Sequence, residues 1–214
     1  MSYHKVDLKR KLLELSIDII AKQGIKKLTI AYLAKKLDIS QPAIYRHYTS
    51  KNALLCEVIA CAYRDLSSEL DIIQNDNSKD CINKIISIGI TYVFFGLKNP
   101  AKYKFMFSEE IQTANMDSNL QNDLLYCFNH LVVEFKNAQK EGSLSSNIDI
   151  NTMSNLYWSL GHGLTCLLID NQMVISSSGL PEPTAGIKNP INGNEHLEKY
   201  LDTTFRLLIK GFQD

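Results

Sequence analysis

The chain has 214 residues, enough for one large domain or for a small domain beside a larger one. Apolar residues make up 45% and charged residues 21%, the composition of a folded globular protein and not of a disordered one. The formal net charge is zero, which gives no sign of a polyanion partner until the charges are mapped along the chain.

The opening stretch, "MSYHKVDLKRKLLEL", holds no apolar run, so no signal peptide is expected. Leu8, Leu12, Leu15 and Ile19 keep helical spacing, and Gly24 is a natural stop. Thr29 can cap the next helix, "IAYLAKKL", whose Ile30, Leu33, Ala34 and Leu37 share one face. Asp38-Ile39 is a tight link. Ser40 is placed to cap a third helix, Ser40–Tyr48, with Pro42 tolerated in its first turn. Ser50 caps a long fourth helix that runs to about Leu70 and Ile73. Helices of this size, with so short a link between the second and third, follow the helix-turn-helix plan.

Beyond them, residues 74–79 read as a loop and about 80–97 as a helix ended by Asn99-Pro100. Its apolar run Ile85–Leu97 is too short to span a bilayer and is expected to be a buried core helix, so no membrane partner is predicted. "AKYKFMF" reads as one short helix and "SEEIQTANMD" as irregular. Residues 118–140 and 149–170 read as helices, the first stopping at Gly142. The Ser/Gly/Pro/Asn-rich segment 176–194 reads as a mobile loop. The last helix, about 195–212, sets Leu197, Tyr200, Leu201, Thr204, Phe205, Leu208 and Ile209 on one broad face. No internal repeat and no strand is predicted. The fold class is all-α, with a small N-terminal helix-turn-helix head at 1–52 and a larger helical body at 53–214.

Charge divides the same way. Residues 1–51 carry eleven Lys/Arg against four acids, a net of +7, and the remainder nets −7. No Asp or Glu occurs between Asp38 and Glu57. A basic head on a near-neutral to acidic body points to a polyanion partner. The five cysteines are scattered, odd in number and lack a CxxC pair, which argues for reduced thiols in a cytoplasmic protein.

"TIAYLAKKLDISQPAIYRHYTSKNALL" resembles the DNA-binding domain of the TetR family of transcriptional regulators. The residues that carry the likeness are Thr29, Leu33-Ala34, Asp38, Ile39-Ser40, Tyr45-Arg46-His47-Tyr48, Lys51, Leu54 and Leu55, and it extends over about 8–60. Asp38 stands where that family commonly has Gly, and Tyr48 where it commonly has Phe. Asp tolerates the left-handed conformation better than most residues, so the turn survives. "YWSLGHG" (157–163) and "AKYKFMFSEE" are similar to elements of one TetR subfamily with a W-x-x-x-H-G pattern.

A helix in the B-DNA major groove presents its N-terminal side chains to base edges. Gln41 can make a bidentate contact with adenine, and Pro42 and Ala43 offer apolar contact suited to a thymine methyl. Ser40 and Thr29 can touch a phosphate. Lys51, at the start of the fourth helix, can hold another. The resemblance implies that Tyr45 and His47 bind backbone phosphates, and Arg46 can reach a base or a phosphate. Ile44 and Tyr48 are expected to face inward. Lys26, Lys27, Lys35 and Lys36 read as a solvated face.

The resemblance also implies a homodimer on a double-stranded DNA operator, formed through the last two helices. Leu156, Leu160, Leu164, Leu167, Leu201, Phe205 and Leu208 suit that role, or serve as intrachain core. It implies an apolar effector cavity as well. Tyr103, Phe107, Tyr126, His130, Trp158 and His162 are the candidates, each of which can equally be packed core. Trp158 and His162 share a face at i,i+4 and can equally be a structural anchor. The expected function is thus a repressor released by a small apolar ligand, the alternative being an architectural or adaptor protein without one. An enzyme is not expected. His162 and Cys166, near Ser159, lack an evident orienting third group and further metal ligands, and no Gly-rich phosphate loop occurs. No cofactor is expected.

Overall fold

The computed structural model describes residues 3–108, 118–175, 181–183 and 194–213. Their helices are α1 (Tyr3–Gln23), α2 (Ile30–Leu37), α3 (Gln41–Tyr45), α4 (Lys51–Gln74), α5 (Cys81–Lys98), α6 (Pro100–Met106), α7 (Ser118–Lys140), α8 (Ile150–Ile169) and α9 (Asn194–Lys210). The expected irregular run at 109–117 and most of the 176–194 loop lie outside the described residues. Two short strands, β1 (Met173–Ile175) and β2 (Pro181–Pro183), pair antiparallel with Val174 opposite Glu182. That ribbon corrects the expectation of no strand, and the fold class remains all-α. By compactness the chain forms two units, residues 1–65 with 99–125 and residues 66–98 with 126–214, a grouping different from a division at 52/53.

In the first unit α1 ends at Gly24, whose φ of 80° favours a residue without Cβ. A single 3₁₀ turn, Ile25–Lys27, then leads to Thr29. The Thr29 hydroxyl accepts from the Tyr32 N–H at 3.1 Å, capping α2 as expected. Asp38 closes α2 in the left-handed region, at φ 53°. Ser40 sits at the N-cap position of α3, but its hydroxyl makes no capping hydrogen bond. The regular helix α3 ends at Tyr45, short of the expected Tyr48, although the Arg46 N–H still reaches the Pro42 carbonyl at 3.2 Å and the Tyr48 N–H the Ile44 carbonyl at 3.0 Å. There the N–H of His47 reaches the Ile44 carbonyl at 2.9 Å, a tightened last turn. Ser50 does cap α4, accepting from the Ala53 N–H at 3.0 Å.

Leu12, Ile19, Leu28, Leu33, Ile44 and Leu54 form the core of this unit, and α6 packs on α1 with Tyr103, Phe105 and Met106 buried. Leu37, expected in that core, is only half-buried. Arg64 ties α4 to the start of α7, donating to Asp123 at 2.7 Å and to Glu57 at 2.9 Å.

Tyr48 packs behind Ile44 and is 4% exposed, yet its hydroxyl has no hydrogen-bond partner among the described residues. A buried hydroxyl left unpaired costs about 1–3 kcal/mol. Tyr48→Phe is therefore expected to raise stability by about 1 kcal/mol, read from the denaturant midpoint. Burial, reinforced by Glu57 and Cys61, pushes its phenol up to about 12. Unfolded tyrosine ionises near pH ~10, so this contribution to stability is complete below that pH and falls as pH rises toward about 12. The variant is expected to lack that alkaline step.

In the second unit α5 packs against α8 and α9. By length and composition alone α5 as a whole could cross a membrane, whereas its uncharged run Ile85–Leu97 is shorter than a span. Ile85, Ile86, Ile88, Val93, Phe95 and Leu97 are buried in the folded chain, as a core helix requires. The helices meet at Gly89. A Cβ there would lie 2.5 Å from Tyr157 Oη and 2.7 Å from the Phe205 ring. Tyr157 and Phe205 stack at 4.7 Å between ring centroids, and Tyr157 Oη donates to the Ile85 carbonyl at 2.8 Å. Phe135 meets the Tyr157 and Phe212 rings edge-on. At the α7–α8 turn, Gln139 donates to the carbonyls of Ser145 and Ile148 at 2.7 and 2.8 Å.

Candidate functional site

The candidate DNA-facing residues are Thr29 at the cap of α2, Ser40 to Ala43 and Tyr45 at the cap and along α3, Arg46 and His47 in the turn after it, and Lys51 at the start of α4. Thr29, Ser40, Gln41, Pro42, Tyr45 and Arg46 are exposed, while Ala43, His47 and Lys51 are half-buried. Tyr45 is 48% exposed, a large aromatic left on the surface, whereas Ile44 beside it is fully buried. That alternation is what a short helix produces when one face anchors and the other faces outward. Pro42 in the first turn leaves no internal helix bond unmade, since that N–H has no partner in any helix.

Few acids accompany the positive charges of this surface. The first acid after Asp38 is Glu57, and its carboxylate is engaged by Arg64 at 2.9 Å and by Lys9 at 4.0 Å. Lys26, Lys27, Lys35 and Lys36 are exposed, and Lys36 lies over the Tyr32 ring at 5.6 Å. The arrangement offers amide, hydroxyl and cationic donors with no carboxylate among Ile39–Cys56 to repel a phosphate.

The effector candidates fall into separate groups. Tyr103 is buried in the first unit with its ring 5.0 Å from that of Phe107. In the second unit Tyr126 and His130 converge on Asp71 of α4. Tyr126 Oη donates to Asp71 Oδ1 at 2.8 Å, and His130 Nε2 lies 2.8 Å from the same oxygen. His130 is buried while Tyr126 is 53% exposed. These hydrogen bonds, His130 first, hold the Asp71 carboxyl below the usual carboxylate range.

Trp158 and His162 share a face of α8 as their spacing predicts, with ring centroids 5.5 Å apart. Trp158 Nε1 donates to Tyr92 Oη of α5 at 3.2 Å, and that oxygen is 3.2 Å from His162 Nδ1. Cys166 Sγ lies 3.6 Å from His162 Nε2. Burial lowers the His162 pKa, so the ring favours its neutral form. Tyr92, whose hydroxyl lies within hydrogen-bond distance of His162, is a neighbour that no sequence spacing revealed. It lies 70 positions from His162, beyond the reach of any local pattern. Asp71, 59 positions from His130, was missed for the same reason.

Residues expected at a dimer face separate likewise. Leu164, Leu201 and Phe205 are buried inside the chain, the intrachain-core alternative and not the interface one. Leu156 and Leu167 of α8 remain 51% and 39% exposed, and Leu207 of α9 is 62% exposed.

Residues 12–58 match the family model described as bacterial regulatory proteins, tetR family. A nucleoid occlusion factor SlmA from Photorhabdus laumondii subsp. laumondii is 28% identical over 121 residues, covering 56% of this chain and 59% of that protein. The chain thus spans about three fifths of that relative's length. A protein of unknown function from Rhodococcus sp. RHA1 superposes with a TM-score of 0.79 over the whole of both chains at 17% identity. The TetR family transcriptional regulator PfmR from Thermus thermophilus superposes with a TM-score of 0.62 at 14% identity, covering 93% of this chain and 97% of that one. The N-terminal segment therefore matches a tetR-family domain, and the whole chain shares the fold of these two structures, a helix-turn-helix head with a larger helical body.

Proposed function

We propose that this chain is a DNA-binding transcriptional regulator of the TetR family, acting as a dimeric repressor that a small apolar ligand releases from a palindromic operator. The observation that carries the DNA-binding reading is the acid-free stretch from Ser40 to Lys51, which exposes Ser40, Gln41, Pro42, Tyr45 and Arg46 inside a segment that matches the tetR-family model. Gln41 reads adenine, Pro42 and Ala43 meet a thymine methyl, and Arg46 contacts a base or a phosphate. Thr29, Ser40, Tyr45, His47 and Lys51 hold phosphates. Exposed Leu156, Leu167 and Leu207 support a dimer face on α8 and α9.

Ligand release needs only different affinities for two conformations, a coupling of about 1–3 kcal/mol. Helix α4 begins with Lys51 and carries Asp71 near its end, so a ligand near Tyr126 and His130 bears on the helix that holds a phosphate contact. Tyr103, Phe107, Trp158 and His162 are the remaining effector candidates. The likeness to a nucleoid occlusion factor favours a second reading, a DNA-binding architectural or adaptor protein that needs no small ligand.

Selection of bound duplexes from a random pool tests the primary reading. Palindromes are expected, with half-site centres about 10–10.5 base pairs, or a multiple, apart. Bound sequences without two-fold symmetry would remove the dimeric repressor.

A further inference from the structure

Cys166 differs from the other four cysteines in what surrounds it. Cys56, Cys81 and Cys127 are buried, and burial pushes the Cys81 and Cys127 thiols up to about 11. Cys61 is half-buried, and burial followed by the Asp65 charge raises its pKa. Cys166 is half-buried too, but its sulfur faces an imidazole nitrogen at 3.6 Å. The far side of that ring meets Tyr92 Oη, which also accepts from Trp158 Nε1. An indole N–H can only donate, so the phenol oxygen spends one lone pair on Trp158. Its second lone pair can accept His162 Nδ1–H, and Nε2 then presents its lone pair to the thiol. Burial favours the neutral ring, which is the form that acts as a base.

Trp158, His162 and Cys166 recur every four residues, so they form one stripe along α8. At roughly 100° per residue this stripe is centred about 130° away from the exposed Leu156 and Leu167, with Cys166 itself about 90° away. A partner seated on those leucines leaves the stripe on a different flank of the helix.

We propose that Cys166 is a covalent modification site for soft electrophiles with a polarised carbon–carbon double bond, such as α,β-unsaturated carbonyl compounds, with His162 as its base and Tyr92 as a positioning residue. Sγ attacks the β-carbon and forms the S–C bond as the π pair moves into the enolate. His162 Nε2 takes the thiol proton and returns it to the α-carbon. The product is a thioether; nothing is oxidised and no group leaves. The site stands whether or not the chain binds DNA, so its test and the operator selection fail independently.

The full chain is treated with substoichiometric N-ethylmaleimide, and adducts at all five cysteines are followed by peptide mass spectrometry. Cys166 is expected to react first. His162→Gln is expected to slow it roughly a hundredfold, the lower end of what a positioned base contributes, with the Cys61 rate unchanged as the control for folding. Tyr92→Phe keeps the ring and is expected to slow Cys166 by a smaller factor while shifting its pH–rate profile, as a misplaced base would. Reaction at Cys166 no faster than at Cys61 overturns the proposal. So does a Cys166 rate that His162→Gln leaves unchanged.

Discussion

Gln41→Ala is expected to weaken operator binding roughly tenfold per head and to relax selectivity at a single base position in each half-site. The basis is the loss of one bidentate base contact, worth about 1–3 kcal/mol of discrimination. Gln41 is exposed at the first position of α3, so truncation removes no core contact and stability is expected to stay the same. Lys51→Ala provides the contrast. A lysine that holds a phosphate carries no sequence information, so its loss weakens specific and scrambled duplexes alike. It also lowers the slope of log affinity against log salt by about 1 for each phosphate contact. Fluorescence anisotropy on both duplexes across a salt series separates the two residues. If Gln41→Ala weakens both duplexes equally, Gln41 reads no base.

Gly89→Ala is expected to destabilise the second unit by about 3 kcal/mol, read as a lower denaturant midpoint. The added methyl would lie 2.5 Å from a phenol oxygen and 2.7 Å from a phenyl carbon. Neither can easily retreat. Tyr157 is anchored by its bond to the Ile85 carbonyl, and Phe205 is fully buried against it. Overpacking of a close-packed core commonly costs about 1–3 kcal/mol, and two immobile neighbours place this site at the upper end. Gly161→Ala is the control. Its Cβ would meet Tyr92 and Phe205 at 3.6 and 3.7 Å, ordinary contact distances, so a much smaller change is expected. Helix propensity favours Ala over Gly by about 1 kcal/mol at both positions, so a Gly89→Ala variant no less stable than Gly161→Ala would show that the crossing sets no cost.

Locally encoded features are the ones that the sequence states openly. Thr29, Ser50 and the left-handed Asp38 act within a few residues of themselves, and the structure uses each as expected. Ser40 has the right residue type in the right place, yet its hydroxyl makes no capping bond. Amphipathic spacing on α8 and α9 identifies an apolar face without saying whose apolar surface covers it. Leu164, Leu201 and Phe205 turned inward, while Leu156, Leu167 and Leu207 stayed exposed. The polar clusters were the least visible. Asp71 with His130, and Tyr92 with His162, are joined by folding across 59 and 70 positions, where no periodicity operates.

Trp158 is the chain's one tryptophan. Its indole bonds to Tyr92, lies 5.5 Å from the His162 ring and is 36% exposed. Under excitation selective for indole, all emission from this protein therefore originates on one flank of α8. The colour and yield of that light gauge the surroundings of Tyr92, His162 and the neighbouring thiol, with no dye attached and no second emitter to subtract.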